Sequence, residues 1–395
     1  MSESDSAQPT IAFLLSWGAL AILLYAYFGY PALLWVLAKL RPFRPSTGSC
    51  APRVTLLVAA WNEGDVIGAK IENTLEQDYS AELLDLVVVS DGSTDATDEI
   101  VQGYAERTGR VRLVRLEGRQ GKSAALNAGV SAIAAEVIVM TDANALFARD
   151  AVSRLVAAMS DARVAAVSGQ LHYRHGEGTA DTEGAYWRYE QRVKALESSL
   201  GSLLGANGSI YAIRREIYRP LRPRDVSDFR VPFEALLQGY AVVLEPEAKS
   251  VEPAAPSLGA EYRRKVRIMS RAIAQMVSLV WPTLRRGRLL VLWQLVSHKL
   301  LREVQGVFFG AMLVGAGWGT ALGSPTLSAF FAAQVVLYLV GAMGWAVPAV
   351  GRLRWARLAA HFDMIALASF VALGLWIAGR TAPTWEPARL PQGEA

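Results

Sequence analysis

The chain has a single cysteine, Cys50, among its 395 residues. That excludes an internal disulfide and fits a reducing compartment. Histidine is also scarce. Of four, only His172 and His175 lie close together, and two ligands without a third Cys, His or carboxylate at metal spacing read as surface histidines. No GxGxxG follows the first strand-like run, where Ala59-Ala60-Trp61-Asn62-Glu63-Gly64 stands, so no dinucleotide cofactor is expected. A phosphate-binding P-loop is also missing. Gly121-Lys122-Ser123 resembles its end, but Leu116 occupies the place of its first glycine. Internal repeats, low-complexity tracts and the interleaved basic and aromatic residues of single-strand binders are absent too, so the net charge of +4 does not point to nucleic acid.

What the chain does have is apolar residues, 52% of the total, unevenly placed. Most of the acids fall in the middle, and the ends read as membrane. Ile11 to Leu40 is almost wholly apolar and is followed by Arg41 and Arg44, with Glu3 and Asp5 before it. It is long enough to span a bilayer, and it lacks the basic start and cleavage site of a removable signal. The positive-inside rule places the amino terminus outside and the middle domain in the cytosol. Val304 to Leu322, Leu327 to Val347 and Leu358 to Ala378 are three further candidate spans, with Arg352, Arg354 and Arg357 between the last two. The resulting division is a membrane anchor over 1–45, a cytoplasmic domain over 50–260, amphipathic interfacial helices over 261–300, membrane segments over 301–380 and a tail over 381–395. The pattern fits a bacterial-type inner (plasma) membrane protein in contact with membrane lipids.

The middle domain alternates strand and helix patterns. Val54 to Ala60, Leu86 to Ser90, Val111 to Leu116 and Val137 to Thr141 are strand-like, with helical spacing between them. That order predicts an α/β domain with a mostly parallel sheet and right-handed crossovers. The polar residues that end strands one, two and four then converge on one sheet edge. Val137-Ile138-Val139-Met140-Thr141 stops abruptly at Asp142, which stands where open α/β sheets bind ligands. With Asn144 as a second oxygen ligand, hard Mg²⁺ or Mn²⁺ paired with a diphosphate suits the site. The simpler alternative is that Asp142 caps a following helix.

Trp61-Asn62-Glu63, Ser90-Asp91-Gly92-Ser93-Thr94-Asp95, Gly121-Lys122-Ser123-Ala124-Ala125-Leu126-Asn127, Thr141-Asp142-Ala143-Asn144, Gly205-Ala206-Asn207-Gly208-Ser209 and Val226-Ser227-Asp228 occur in this order. The pattern resembles the family 2 glycosyltransferases, in particular their membrane-anchored, cellulose-synthase-like branch, over roughly residues 50 to 275. The resemblance implies the GT-A (nucleotide-diphospho-sugar transferase) fold. It further implies Glu63 and Asp91 at the base and ribose of a nucleotide sugar, Lys122 as a donor contact, and Asp142 with Asn144 at the family's metal-binding Asp-x-Asp, the asparagine replacing its second aspartate. Asp228 is similar to the general base of the Thr-Glu-Asp motif. Its simpler alternative is a helix cap. Chemistry requires such a group, because an acceptor hydroxyl must lose its proton as it attacks the anomeric carbon. One carboxylate poised for the acceptor implies inversion.

Processive members carry Gln-x-x-Arg-Trp where this chain has Arg264-Lys265-Val266-Arg267-Ile268. Arg267 keeps the arginine, expected at the donor diphosphate, while the glutamine and tryptophan are missing. The tail's Thr384-Trp385-Glu386-Pro387 is similar to a feature of the same branch. The expected activity is transfer from a UDP-sugar to a lipid-linked or saccharide acceptor in polysaccharide or glycolipid biosynthesis. The alternatives are a processive polysaccharide synthase and a non-catalytic nucleotide-sensing subunit of a secretion complex.

Overall fold

Seven consecutive uncharged residues form β1 (Val54–Ala60), and every one of them is buried. A strand can be apolar on both faces only if both faces are covered, and here two cores flank it. Leu57 and Ala59 point into one core, Leu56 and Val58 into the other, the period-two alternation of a strand. The structure is a computed structural model that describes residues 3–46, 48, 51–174, 183–253 and 258–380. His175 and the tail motif lie outside these.

The chain enters through α1 (Gln8–Leu40). After β1 come α2 (Gly64–Leu75), β2 (Leu84–Ser90), α3 (Thr97–Thr108), β3 (Val111–Arg115), α4 (Lys122–Ser131) and β4 (Val137–Thr141). β5 (Leu146–Phe147), α5 (Ala151–Ala158), β6 (Val164–Arg174), α6 (Glu183–Ser198), β7 (Tyr211–Arg214), α7 (Ser227–Gln238) and β8 (Ala241–Pro253) complete the domain. The sheet order is β3-β2-β1-β4-β7-β6-β8-β5. β1 pairs in parallel with β2 and β4, and β2 with β3, so the carboxyl ends of β1, β2 and β4 share one edge as expected. β7 runs antiparallel to β4, as β5 does to β8, which makes the sheet mixed.

α8 (Leu258–Arg285) follows as one helix of 28 residues. Its Met269 and Ile273 pack against Ala368 and Ala372 of α12 (Arg354–Ile377). Between α8 and α12 come α9 (Leu289–Glu303), α10 (Gln305–Ala321) and α11 (Pro325–Ala346). Among the described residues three helices, α1, α11 and α12, are long and apolar enough to cross a membrane. The span expected over Val304 to Leu322 takes a different form. α9 and α10 meet at a 61° bend, and only together do they pass the same test. Small residues let these helices approach closely: Gly315 of α10 lies against Ser16 of α1, and Gly344 of α11 against Ala356 of α12.

Polar groups join α1 to α6 and α9. Tyr30 of α1 donates its hydroxyl to Glu197 of α6 at 2.7 Å, and His298 Nδ1 of α9 lies 2.6 Å from the same oxygen. Glu190, two turns earlier on α6, pairs with Arg302 of α9. Tyr25 and Tyr27 extend the contact, the first to Trp293 and Ser297 and the second to Gln305. The register that leaves the apolar Leu14, Leu24 and Phe28 of α1 exposed thus turns its tyrosines toward the rest of the protein.

Candidate active site

The site is built where β1, β2 and β4 end. Asp91, 3% exposed, follows β2, and its carboxylate accepts from the backbone amides of Gln120 at 2.6 Å and Gly121 at 2.8 Å. It therefore shapes the loop ahead of α4, and each oxygen keeps one further lone pair for a ligand. Asn62, with a left-handed φ of 54°, accepts from the Thr94 amide at 2.7 Å. The Glu63 amide donates to Thr97 Oγ1 at 2.9 Å. The ends of β1 and β2 are thus stitched into one rim, which the Arg119 guanidinium closes by stacking 3.6 Å from the centroid of the Trp61 ring.

Gly92 permits this rim. Its φ is +70°, and an added Cβ would lie 2.6 Å from the Gly118 carbonyl carbon. Gly92→Ala is expected to cost about 2 kcal/mol or more, from the left-handed backbone and the clash together. Thermal melting should show the loss, along with weakened nucleotide binding. An unchanged melt would refute the close approach.

Beside the rim, Lys122 at the first turn of α4 reaches Asp142, Nζ to Oδ1 2.5 Å, with both side chains largely covered. Burial alone would lower this ammonium's pKa, but Asp142 beside it holds the net shift upward. The lysine is therefore no solvated helix-start residue. Asp142 does not cap a following helix either, because a turn and β5 come next and α5 begins only at Ala151. Asn144 is exposed on that turn. Behind it, Lys70 of α2 is fully buried and donates to the Ala145 carbonyl at 2.6 Å. Burial pushes its ammonium down to about 7, against the pull of Asp142 and Glu252.

Asp228 forms the facing wall. It lies within the first turn of α7, whose cap position is Val226, so it is not the helix cap. Gly208 sits against it, and a Cβ there would lie 3.0 Å from Asp228 Oδ2. The Ala206 amide donates to the Asp228 carbonyl at 2.8 Å, so the Gly205-Ala206-Asn207-Gly208-Ser209 loop lies along the base candidate. Burial raises the Asp228 carboxyl, the like charge of Asp142 adds to the shift, and Lys122 and Lys194 oppose it. Lys194 of α6 donates to Asn207 Oδ1 at 2.8 Å.

α8 straps the mouth. Gln275 accepts from the Val226 amide at 3.0 Å and donates to its carbonyl at 3.4 Å. Arg264, Arg267 and Arg271 recur at helical spacing on this strap. Arg264 acts on Glu252, and Arg271 on Asp228 and Asp225. Burial and the neighbouring Arg267 lower the Arg271 guanidinium. Burial and Asp142 raise the Glu252 carboxyl to about 7.

The structure therefore brings Lys122, Asp142 and Asp228 close enough to act on one another, with Asn144 on the turn after Asp142, Asp91 and Glu63 on the rim at the ends of β1 and β2, and Arg267 on α8. Sequence reasoning missed Lys70, Lys194 and Glu252. Lys70 did leave a signal, a lone charge among Ile67, Ile71 and Thr74 on the apolar face of α2. Glu252 left none, because β8 also carries Glu245, Glu247 and Lys249, and its apolar run, Ala241 to Leu244, ends at Glu245 rather than at Glu252.

The oxygen donors Asp142 and Asn144 suit a hard divalent cation that takes its remaining ligands from phosphate and water. Among the described residues no three His, Cys, Asp or Glu side chains are grouped so as to hold an ion by themselves.

Comparison with known proteins bears on the family and the fold. The sequence profile described as Glycosyl transferase family 2 matches residues 55–222. A beta-monoglucosyldiacylglycerol synthase from Nostoc sp. is 29% identical over 218 residues, 52% of this chain and 46% of that protein. A poly-beta-1,6-N-acetyl-D-glucosamine synthase from Staphylococcus epidermidis is 22% identical over 244 residues, 60% of this chain and 58% of that one. The chain spans about half the length of the curated relatives it matches. A mannosyltransferase from Pyrobaculum calidifontis, solved with GDP-Man and Mn²⁺, superposes with a TM-score of 0.70 at 22% identity, over 94% of this chain and 99% of that one. The shared fold is GT-A.

Proposed function

Because residues 55–222 are a glycosyl transferase family 2 domain, we propose that the protein is a membrane-bound, inverting glycosyltransferase that moves a sugar from a nucleotide sugar to a hydroxyl of a lipid-linked or saccharide acceptor. The observation that carries this reading is the nearness of the buried Asp228 carboxyl to the Lys122–Asp142 pair, whose charges both act on it, beside a helix that packs on α12.

The chemistry follows from the residues. Asp228 takes the proton of the acceptor hydroxyl as its oxygen attacks the anomeric carbon from the side opposite the leaving group. The bond from that carbon to the diphosphate oxygen breaks, and the anomeric configuration inverts. Lys122 and Arg267 meet the negative charge that develops on the leaving nucleoside diphosphate. Asp142 and Asn144 would hold Mg²⁺ or Mn²⁺, which supplies Lewis-acid stabilisation of that leaving group when bound. Asp91 and Glu63 line the nucleoside end, and a UDP-sugar is the donor we expect. The solved mannosyltransferase with GDP-Man and Mn²⁺ supports a nucleotide sugar and a divalent ion as the partners.

The acceptor reaches the site from the membrane side. α8 offers arginines to the cleft and Met269 and Ile273 to a membrane helix, the arrangement of an amphipathic element at a bilayer surface. The basic residues that flank α1 orient the domain toward the cytosol of a bacterial-type inner membrane. Ile268, which replaces the family's acceptor-floor tryptophan, is 43% exposed, and this favours a single addition over polymerisation.

Purified full-length protein given Mn²⁺ and a panel of UDP- and GDP-sugars with membrane lipid extract is expected to release the nucleoside diphosphate and yield one organic-extractable product. No release with any donor would overturn the reading. A ladder of lengthening products would overturn single addition.

A further inference from the structure

The Asp142-Ala143-Asn144-Ala145 turn has no helix to hold it, yet it must keep Asp142 and Asn144 in register. Its support comes from α2 behind the sheet edge. Lys70 is wholly buried, its Nζ 2.6 Å from the Ala145 carbonyl and 3.7 Å from the centroid of the Phe147 ring. One turn on, Asn73 clamps Phe147 twice, accepting from its amide at 2.7 Å and donating to its carbonyl at 2.9 Å. Gln77, just past the helix, accepts from the Val152 amide at 3.3 Å. One face of α2 thus grips the segment after Asp142 at three successive points, and Lys70 holds the point nearest the candidate metal residues.

We propose that Lys70 is a positioning residue that sets the metal-holding shape of the Asp142–Ala145 turn through the Ala145 carbonyl, while Asn73 and Gln77 support only the fold. The proposal rests on the functional reading above. A lysine is an unusual choice for the task, because a buried ammonium is costly and an apolar side chain would pack at less expense. What an apolar side chain cannot do is satisfy a buried carbonyl in the turn. Electrostatics makes the proposal sharp. Taking a cation away from beside a cation site removes repulsion, and taking away a neutral amine changes nothing, so by charge alone Lys70→Met tightens metal binding or leaves it unaltered. Only a loss of geometry weakens it.

The test is Mn²⁺ uptake by the full-length protein in the presence of UDP or GDP, followed by the electron paramagnetic resonance of free Mn²⁺, with thermal melting alongside. Lys70→Met is expected to raise the half-saturating Mn²⁺ concentration about tenfold, as loss of an outer partner of a metal site does. Asn73→Ala, which loses two hydrogen bonds, is expected to melt at least as much earlier while its Mn²⁺ uptake stays within about twofold. Should Lys70→Met not fold, Lys70→Gln, which loses the ammonium and its reach, carries the same comparison. Unchanged or tighter Mn²⁺ binding in the Lys70 variants overturns the proposal, and so does equal weakening in Asn73→Ala. A wild-type protein that takes up no Mn²⁺ with either nucleotide overturns the metal site itself, a result distinguishable from the others.

Discussion

Replacing Asp228 with asparagine is expected to lower sugar transfer by about 10²- to 10⁴-fold, the range ascribed to a positioned general base, with no loss of folded protein. The second half of that expectation is the more informative. Burial raises the Asp228 carboxyl, so the native state binds its proton more tightly than the unfolded chain does. Stability therefore falls as pH rises from the ordinary carboxylate range through the raised value. The neutral amide escapes this cost. At neutral pH Asp228→Asn should melt at the same temperature as the wild type or higher, and the difference should fade as pH falls below the ordinary carboxylate range. Wild-type kcat/KM should drop on the acid side with a midpoint above that range, while the residual rate of the variant should lack this limb. Full activity in Asp228→Asn would assign the base elsewhere. A lower melting temperature at neutral pH would mean that Lys122 and Lys194 need this charge more than burial penalises it.

The second large effect lies where α1, α6 and α9 meet. Glu197 is fully buried and receives both the Tyr30 hydroxyl and His298 Nδ1. Burial alone would raise its carboxyl, but His298, and after it Lys299, hold it below the ordinary value. For a depressed carboxyl, the stability it contributes is present above the unfolded value and is lost as pH falls through the folded one. Glu197→Ala leaves the buried Tyr30 hydroxyl and His298 Nδ1 without their partner, Glu190 remaining only at His298 Nε2, at an expected cost of about 3–5 kcal/mol. Glu197→Gln keeps an acceptor for Tyr30 and should cost about 1–2 kcal/mol. Melting in detergent and hydrogen exchange across α1, α6 and α9 would check both. The prediction fails if Glu197→Ala melts with the wild type or if exchange rises elsewhere while these three helices stay protected.

The catalytic domain was legible because its signals are local. A run such as Val54–Ala60, free of charges and bounded by turn residues, reads as a strand covered on both faces, and β4 follows the same pattern, while β3, with Arg112 and Arg115, is partly exposed at the sheet edge. Asp142 declared itself by ending such a run. The membrane spans were read less well. Apolar length marks a segment that lipid can accept, but the 61° bend between α9 and α10 depends on what each half packs against. Glu252 and Lys194 were illegible for a related reason. Their neighbours come from distant parts of the chain, and nothing within a few residues separates them from surface charges.

By itself the sequence determined the alternation of strand and helix, the sheet edge on which Asp91 and Asp142 stand, and the apolar segments at the ends, because hydrophobic periodicity and turn chemistry act over a few residues. Only the tertiary structure decided that Asp228 faces Lys122 and Asp142, that Asp91 braces a loop through two backbone amides, and that Lys70 reaches Ala145 from behind. These contacts join residues from 29 to more than 100 positions apart. Their energies exist only once loops are closed and water is excluded, so no local pattern in the chain records them.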